Sequence, residues 1–201
     1  MDVLLSFVAA LLSLRLAGRL IRARHYAWAG GLTSFAAASA AMAWGAAHGW
    51  DETAFRVYYL AGALLSAPLL GIGSLSLSGR RWAAPLGLVY AGLAVGIAAS
   101  MPVHGSFGGT QVPLAQDHLD ILPRVIAIAG SSLGTIAVVA VAAWTLRRRP
   151  LGNALVVAAV IAAAGASALT QTAVSAAAVC FALAAALLYA SVTVSRARTT
   201  P

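Results

Sequence analysis

The sequence predicts an all-α, polytopic membrane protein of seven transmembrane helices, with its N-terminus outside and its C-terminus inside. Three observations carry that expectation. Of the 201 residues, 61% are hydrophobic and 9% charged, against about 25% charged in a soluble domain, and the mean hydropathy is +0.89. The apolar residues fall into seven runs, each close to the roughly 20 residues a helix needs to cross a bilayer. The 13 basic residues are all arginine, and nearly all of them sit at the ends of those runs, on alternate sides.

The runs cover roughly 2–20, 26–48, 52–77, 82–102, 122–146, 151–170 and 173–195. No stretch between them exceeds roughly 20 residues, too few to bury a soluble core, so 1–201 reads as a single transmembrane domain. The first run is interrupted by Arg15 and Arg19, which must snorkel to an interface. Its N-terminal flank is acidic (Asp2) and its arginines follow the apolar stretch, the reverse of a secretory signal, so it is expected to be retained. The second run is alanine-dense. The third carries Pro68 among Gly62, Gly71 and Gly73. The fourth holds a GxxxG pair, Gly92 and Gly96. The segment 103–121 is a Gly-rich extracytoplasmic loop with two of the four histidines. The fifth run opens with Pro123, whose missing N–H costs nothing in a first helical turn, and holds a second GxxxG pair, Gly130 and Gly134. The sixth and seventh are alanine-dense, and the single Cys180 lies in the seventh. Small-residue faces let helix backbones approach closely in lipid, inside one bundle or between copies in a homo-oligomer.

The charges set the orientation. Arg15, Arg19, Arg22 and Arg24, then Arg80 and Arg81, then Arg147, Arg148 and Arg149, then Arg196 and Arg198 fall on one side, which the positive-inside rule makes cytoplasmic. Asp2, Asp51, Glu52, Asp117 and Asp120 fall on the other. Trp28, Trp82 and Trp144 near the inner boundary and Trp50 near the outer one read as interfacial anchors. The formal net charge of +8 thus reports topology and contact with anionic lipid, not nucleic acid. The excess of Ala, Gly and Arg points to a GC-rich bacterial genome and hence a bacterial inner membrane.

Candidate site residues are few. No run carries Asp, Glu, Lys or His near its middle, which counts against ion-coupled transport. Glu52 and Arg56 are spaced i, i+4 and predict an ion pair; Tyr58 and Tyr59 follow at once. Asp120 and Arg124 repeat the spacing, with Asp120 also placed as a helix cap. Arg56, Tyr58, Tyr59 and Arg124 are the expected ligand-binding residues of an outer-leaflet pocket. His48, Asp51, His104, Asp117 and His118 are metal-ligand types, but their spacing matches no motif, and no metal or cofactor is expected. Ser34, Ser66, Ser74, Ser131, Thr135 and Ser167 are expected to bond backbone or neighbouring helices.

The run Arg56, Tyr58, Tyr59, Ser66, Pro68, Leu69, Leu70 resembles the third helix of microbial rhodopsins, which implies a rhodopsin-like bundle. With Pro68 aligned, Gly62 and Gly73 stand at that family's counter-ion and proton-donor carboxylate positions. The seventh run has no lysine to form a retinal Schiff base, so the resemblance implies the bundle without the photochemistry. The segments FRVYYLAGALLSAPLLGIGSL, LPRVIAIAGSSLG and RRRPLGNAL are also similar to a group of small bacterial seven-span membrane proteins, a likeness that implies no activity. The expectation is a non-enzymatic binding, sensory or accessory membrane protein whose partners are membrane lipid and a small-molecule ligand. A transporter or channel for a small or lipophilic solute is the alternative, and a membrane metalloenzyme a second.

Overall fold

The computed structural model describes residues 2–147, 150–169 and 174–197, with side chains at residues 3–147, 150–166 and 176–191. Arg148, Arg149 and Arg198, and the side chains of Asp2, Ser167 and Arg196, lie outside the described residues. The described chain is helical apart from short connections and one loop. The long helices are α1 (Asp2–Arg22), α2 (Tyr26–His48), α3 (Glu52–Leu77), α4 (Ala83–Ser100), α5 (Ile121–Trp144), α6 (Pro150–Leu169) and α7 (Val174–Ala197), and a one-turn helix, Ala115–His118, lies in the loop between α4 and α5. Among the described residues every run read as helical is helical, and the ends of α2, α3, α4 and α5 lie within two residues of those expected.

Among the described residues, four helices are long and apolar enough to cross a membrane: Val3–Arg22, Glu52–Leu77, Ala83–Ser100 and Ile121–Trp144. The expectation was seven. In α6 and α7 the apolar stretches with described side chains are Pro150–Ala166 and Ala176–Ser191, within helices of 20 and 24 residues. In α2 the residues are Ala, Gly, Ser and Trp where a lipid-facing helix would carry Leu and Ile, and half its length is buried. A helix that faces other helices needs close packing more than hydropathy.

α3 packs on α2, α4 and α5; α1 packs on α2 and α7; α6 packs closely on α7 and only lightly on α5. Three apolar clusters fill the bundle, the smallest of them Ala9, Phe35 and Ala185; the two larger ones lie at opposite ends. One, around Phe55, Tyr59, Leu64, Ala98 and Met101, lies at the end that carries the 101–120 loop. The other, around Leu16, Leu32, Trp28, Ala159 and Leu188, lies at the opposite end. α4 sits at the edge, with Leu88 and Val89 exposed.

Glycines set the close approaches. A Cβ on Gly71 would fall 2.5 Å from the Gly134 carbonyl oxygen, and a Cβ on Gly134 would strike the backbone of Ala67 and Pro68. The 130/134 pair therefore joins α5 to α3. The 92/96 pair meets nothing within 4 Å and takes no part in packing among the described residues. Trp28 and Trp50 depart from the expected interfacial positions. They are 7% and 5% exposed, because Gly73 and Gly45 leave slots that their indoles fill. Trp82 and Trp144 are exposed as anchors should be, the latter at 88%. Arg15 and Arg19 of α1 lie against the Tyr189 ring, 5.9 and 5.0 Å from its centroid.

α3 changes pitch along its length. It is α-helical over Glu52–Tyr58, π-helical over Tyr59–Ser66 and α-helical again over Ala67–Leu77. Pro68 explains part of this. It has no N–H to give to the carbonyls four and five residues back, those of Leu64 and Ala63. Both find donors elsewhere: the Tyr90 hydroxyl of α4 donates to the Leu64 oxygen at 2.9 Å, and the Ser131 hydroxyl of α5 donates to the Ala63 oxygen at 2.8 Å. In an apolar medium such carbonyls must be satisfied by neighbouring helices.

A candidate binding cavity inside the helix bundle

A cavity of about 960 Å³ runs through the bundle between α2, α3, α5, α6 and α7. It lies at the upper end of the range of about 300–1,000 Å³ for small-molecule sites. The π-helical stretch of α3 forms one wall through Tyr59, Gly62, Ala63 and Ser66; α5 forms the facing wall through Arg124, Ala127, Ser131, Thr135 and Val138. Single-turn π segments recur at functional sites because they re-aim side chains that a regular helix would place elsewhere.

The loop roofs one end. Val103 and Leu119 form an isolated bridge, and the His104 N–H donates to the His118 carbonyl at 2.9 Å. Phe107 stacks on His118 at 4.5 Å, and both rings lie against Phe55. This arrangement holds Val112, Pro113 and Ala115 over the cavity. Trp28 and Leu188 line the other end. The Trp28 indole N–H is buried and finds no acceptor among the described residues.

The four expected ligand residues separate into two sets. Tyr58, Tyr59 and Arg124 line the cavity; Arg56 does not. Arg56 instead donates to Glu52 at 2.8 Å and to the Ala98 carbonyl of α4 at 2.9 Å, so its guanidinium ties α3 to the end of α4. Tyr59 donates to the Pro123 carbonyl at 3.3 Å, fixing the first turn of α5 against α3.

The second expected ion pair is not formed. Asp120 lies 3.3 Å from His104 Nε2, and its side chain makes no cap bond to α5. The loop brings an imidazole to Asp120 that the i, i+4 spacing does not anticipate. Arg124 is half-buried and has no carboxylate within 4 Å among the described residues.

The metal-type residues do not converge: no group of three His, Cys, Asp or Glu side chains able to hold an ion occurs among the described residues. His48 stacks on Trp44 at 4.3 Å. Asp51 caps α3 by accepting from the Ala54 N–H at 2.7 Å. His104 and His118 serve the loop, with His118 Nδ1 2.7 Å from the His104 carbonyl. Of the expected span residues, Ser66 and Ser74 donate to carbonyls four residues back in their own helices, and Ser131 donates across to a carbonyl of α3. Ser39 also donates to the carbonyl four residues back.

The sequence pointed to Tyr58, Tyr59 and Arg124. It missed the lining contributed by α2, α6 and α7, whose Ala, Phe and Leu residues look like any other packing positions. The one available signal was Pro68, which marks where α3 departs from regular pitch. Comparison with protein-family models, with curated proteins and with solved structures gave no match.

Proposed function

We propose that the protein is a non-enzymatic, seven-helix integral protein of a bacterial inner membrane, with its N-terminus outside and C-terminus inside, and that it binds a small lipophilic ligand in the bundle cavity as a sensory, binding or accessory component. The observation that carries this reading is an internal cavity of ligand size with one arginine at its loop end and no opposing carboxylate among the described residues. Such a combination, a mainly apolar chamber with a few polar groups and one charged side chain, is the usual form of a small-molecule site. A packed structural bundle has no use for it, since voids forfeit contacts. The rhodopsin-like resemblance of the third helix fits this reading, because Tyr58 and Tyr59, among the residues that carry the resemblance, also line the cavity.

Protein extracted in mild detergent is expected to carry a co-purifying organic molecule that mass spectrometry detects. Thr135→Phe, placed at mid-depth of the cavity, should expel it while the protein stays monodisperse. An empty wild-type protein, or equal content in wild type and Thr135→Phe, would contradict the reading. A second reading, carriage of a lipophilic solute across the membrane, is favoured by the exposure of cavity-lining Ile128 and Ile136 on α5 and Ala164 on α6. Flux of the identified molecule across proteoliposomes separates the two.

A further inference from the structure

We infer that the cavity takes a long-chain lipid with an oxyanion head, that the lipid enters sideways between α5 and α6, and that Arg124 fixes the head at the loop end. This rests on the ligand-binding reading above and names the ligand class.

The wall determines the tail. Along α5 the lining runs from Arg124 to Val138, 14 residues, or about 21 Å at a rise of 1.5 Å per residue. One leaflet of hydrocarbon is about 15 Å deep, half of the roughly 30 Å core, so the occupant is longer than a leaflet. The wall is mainly apolar, with Tyr58, Ser132, Thr135 and the Trp28 indole N–H as polar groups along it. Ser39, Ser66 and Ser131 commit their hydroxyl hydrogens to backbone carbonyls, and a hydroxyl hydrogen serves one acceptor. Phe35, Met42, Leu70, Ile128 and Phe181 complete a surface suited to methylenes.

Arg124 determines the head. A guanidinium stays protonated and presents a planar fork of donors that matches a carboxylate or phosphate. The carboxylate four residues earlier, Asp120, is held by His104, so the fork of Arg124 keeps its charge unmatched by any described carboxylate. Arg56, at the same spacing from Glu52, is matched and stands outside the cavity.

The route follows from exposure. Ile128, Ser132 and Ile136 of α5 and Ala164 of α6 line the cavity and are nonetheless exposed, Ile128 at 66% and Ile136 at 62%. α5 is bound to α3 through the Gly71–Gly134 contact and touches α6 only lightly. The loop covers the end where water would approach. A side opening at this depth faces acyl chains.

The test uses full-length protein in phosphatidylcholine nanodiscs, with Trp44, Trp82 and Trp144 changed to phenylalanine. Of the five tryptophans this leaves the buried Trp28 and Trp50, of which only Trp28 lines the cavity. Sixteen-carbon chains brominated at the tail end and bearing a carboxylate, a phosphate, an alcohol or an amine are titrated, and quenching is read. Carboxylate and phosphate should quench saturably and bind about tenfold or more tighter than the alcohol or amine, the scale of a charged hydrogen-bonded pair. A preference for carboxylate over phosphate would name a free fatty acid; the reverse would name a phospholipid headgroup. Trp28→Phe should abolish the signal, Arg124→Gln should erase the preference, and Arg124→Lys should keep it. Ser132→Leu with Ala164→Leu should slow the approach to saturation.

Equal affinity for all four heads, unchanged by Arg124→Gln, would overturn the head assignment and leave a cavity that binds apolar chains. Stronger quenching by bromine beside the head would overturn the orientation. An unchanged rate in the double leucine variant would overturn the lateral route. Absence of saturable quenching by every probe would overturn the ligand-binding reading itself.

Discussion

Replacing Gly134 by alanine tests the packing that forms one wall of the cavity. The added Cβ would strike the Ala67 carbonyl and the Pro68 Cα. These are backbone atoms and cannot rotate aside, so α3 and α5 must separate. Overpacking a close contact costs about 1–3 kcal/mol, and backbone clashes belong in the upper half of that range. Exchanging glycine for alanine inside a helix returns about 0.5–1 kcal/mol. The net loss is about 1–2.5 kcal/mol, or about 2–10 °C in Tm for a chain of this size. Gly96→Ala is the control, because nothing lies within 4 Å of its Cβ position; it should leave Tm unchanged or raise it. Thermal denaturation followed by size exclusion in detergent reads both. Gly71→Ala opposes the same contact, so the double variant with Gly134→Ala should lose less than the sum of the two singles. A Gly134→Ala protein as stable as Gly96→Ala would refute the close approach of α3 and α5.

Arg56→Ala should lower Tm by about 3–12 °C through loss of the bond to Ala98, since a hydrogen bond from a charged group is worth about 1.5–3 kcal/mol and the exposed pair with Glu52 adds little. It should leave the content of co-purifying ligand unchanged, and lost ligand with unchanged Tm would reverse that assignment. Tyr90→Phe removes the donor that satisfies the Leu64 carbonyl and should cost about 1–3 kcal/mol, read in the same melting assay. For orientation, Ser106→Cys and Ser78→Cys, each in a Cys180→Ser background, are treated in intact cells with a membrane-impermeant maleimide. Ser106→Cys should label and Ser78→Cys should not; equal labelling would refute the proposed topology.

The helices were legible because apolar runs, arginine ends and turn residues all mark the same boundaries. The Glu52–Arg56 pair was legible because helix spacing alone brings the two side chains together. The same spacing failed at Asp120 and Arg124, where a loop histidine 16 residues before Asp120 captures the carboxylate. No local rule reports a partner that arrives from a loop. Trp28 and Trp50 misled for a similar reason. A tryptophan near a span end looks like an anchor until the glycine that accommodates it on another segment is known. The cavity was legible only at its loop end, through Tyr58, Tyr59 and Arg124, because the rest is defined by what five helices leave unfilled. Of the two GxxxG pairs, one packs on α3 and one faces outward, and nothing in the motif distinguishes them.

The most direct test of the account is a high-resolution density map of protein extracted gently from its native membrane, inspected along α5 from Arg124 to Val138. The account predicts continuous non-protein density with its head at the Arg124 guanidinium and its tail directed toward Trp28. A bundle in which α5 closes against α6, the chamber is filled by side chains and Arg124 points to water would contradict it.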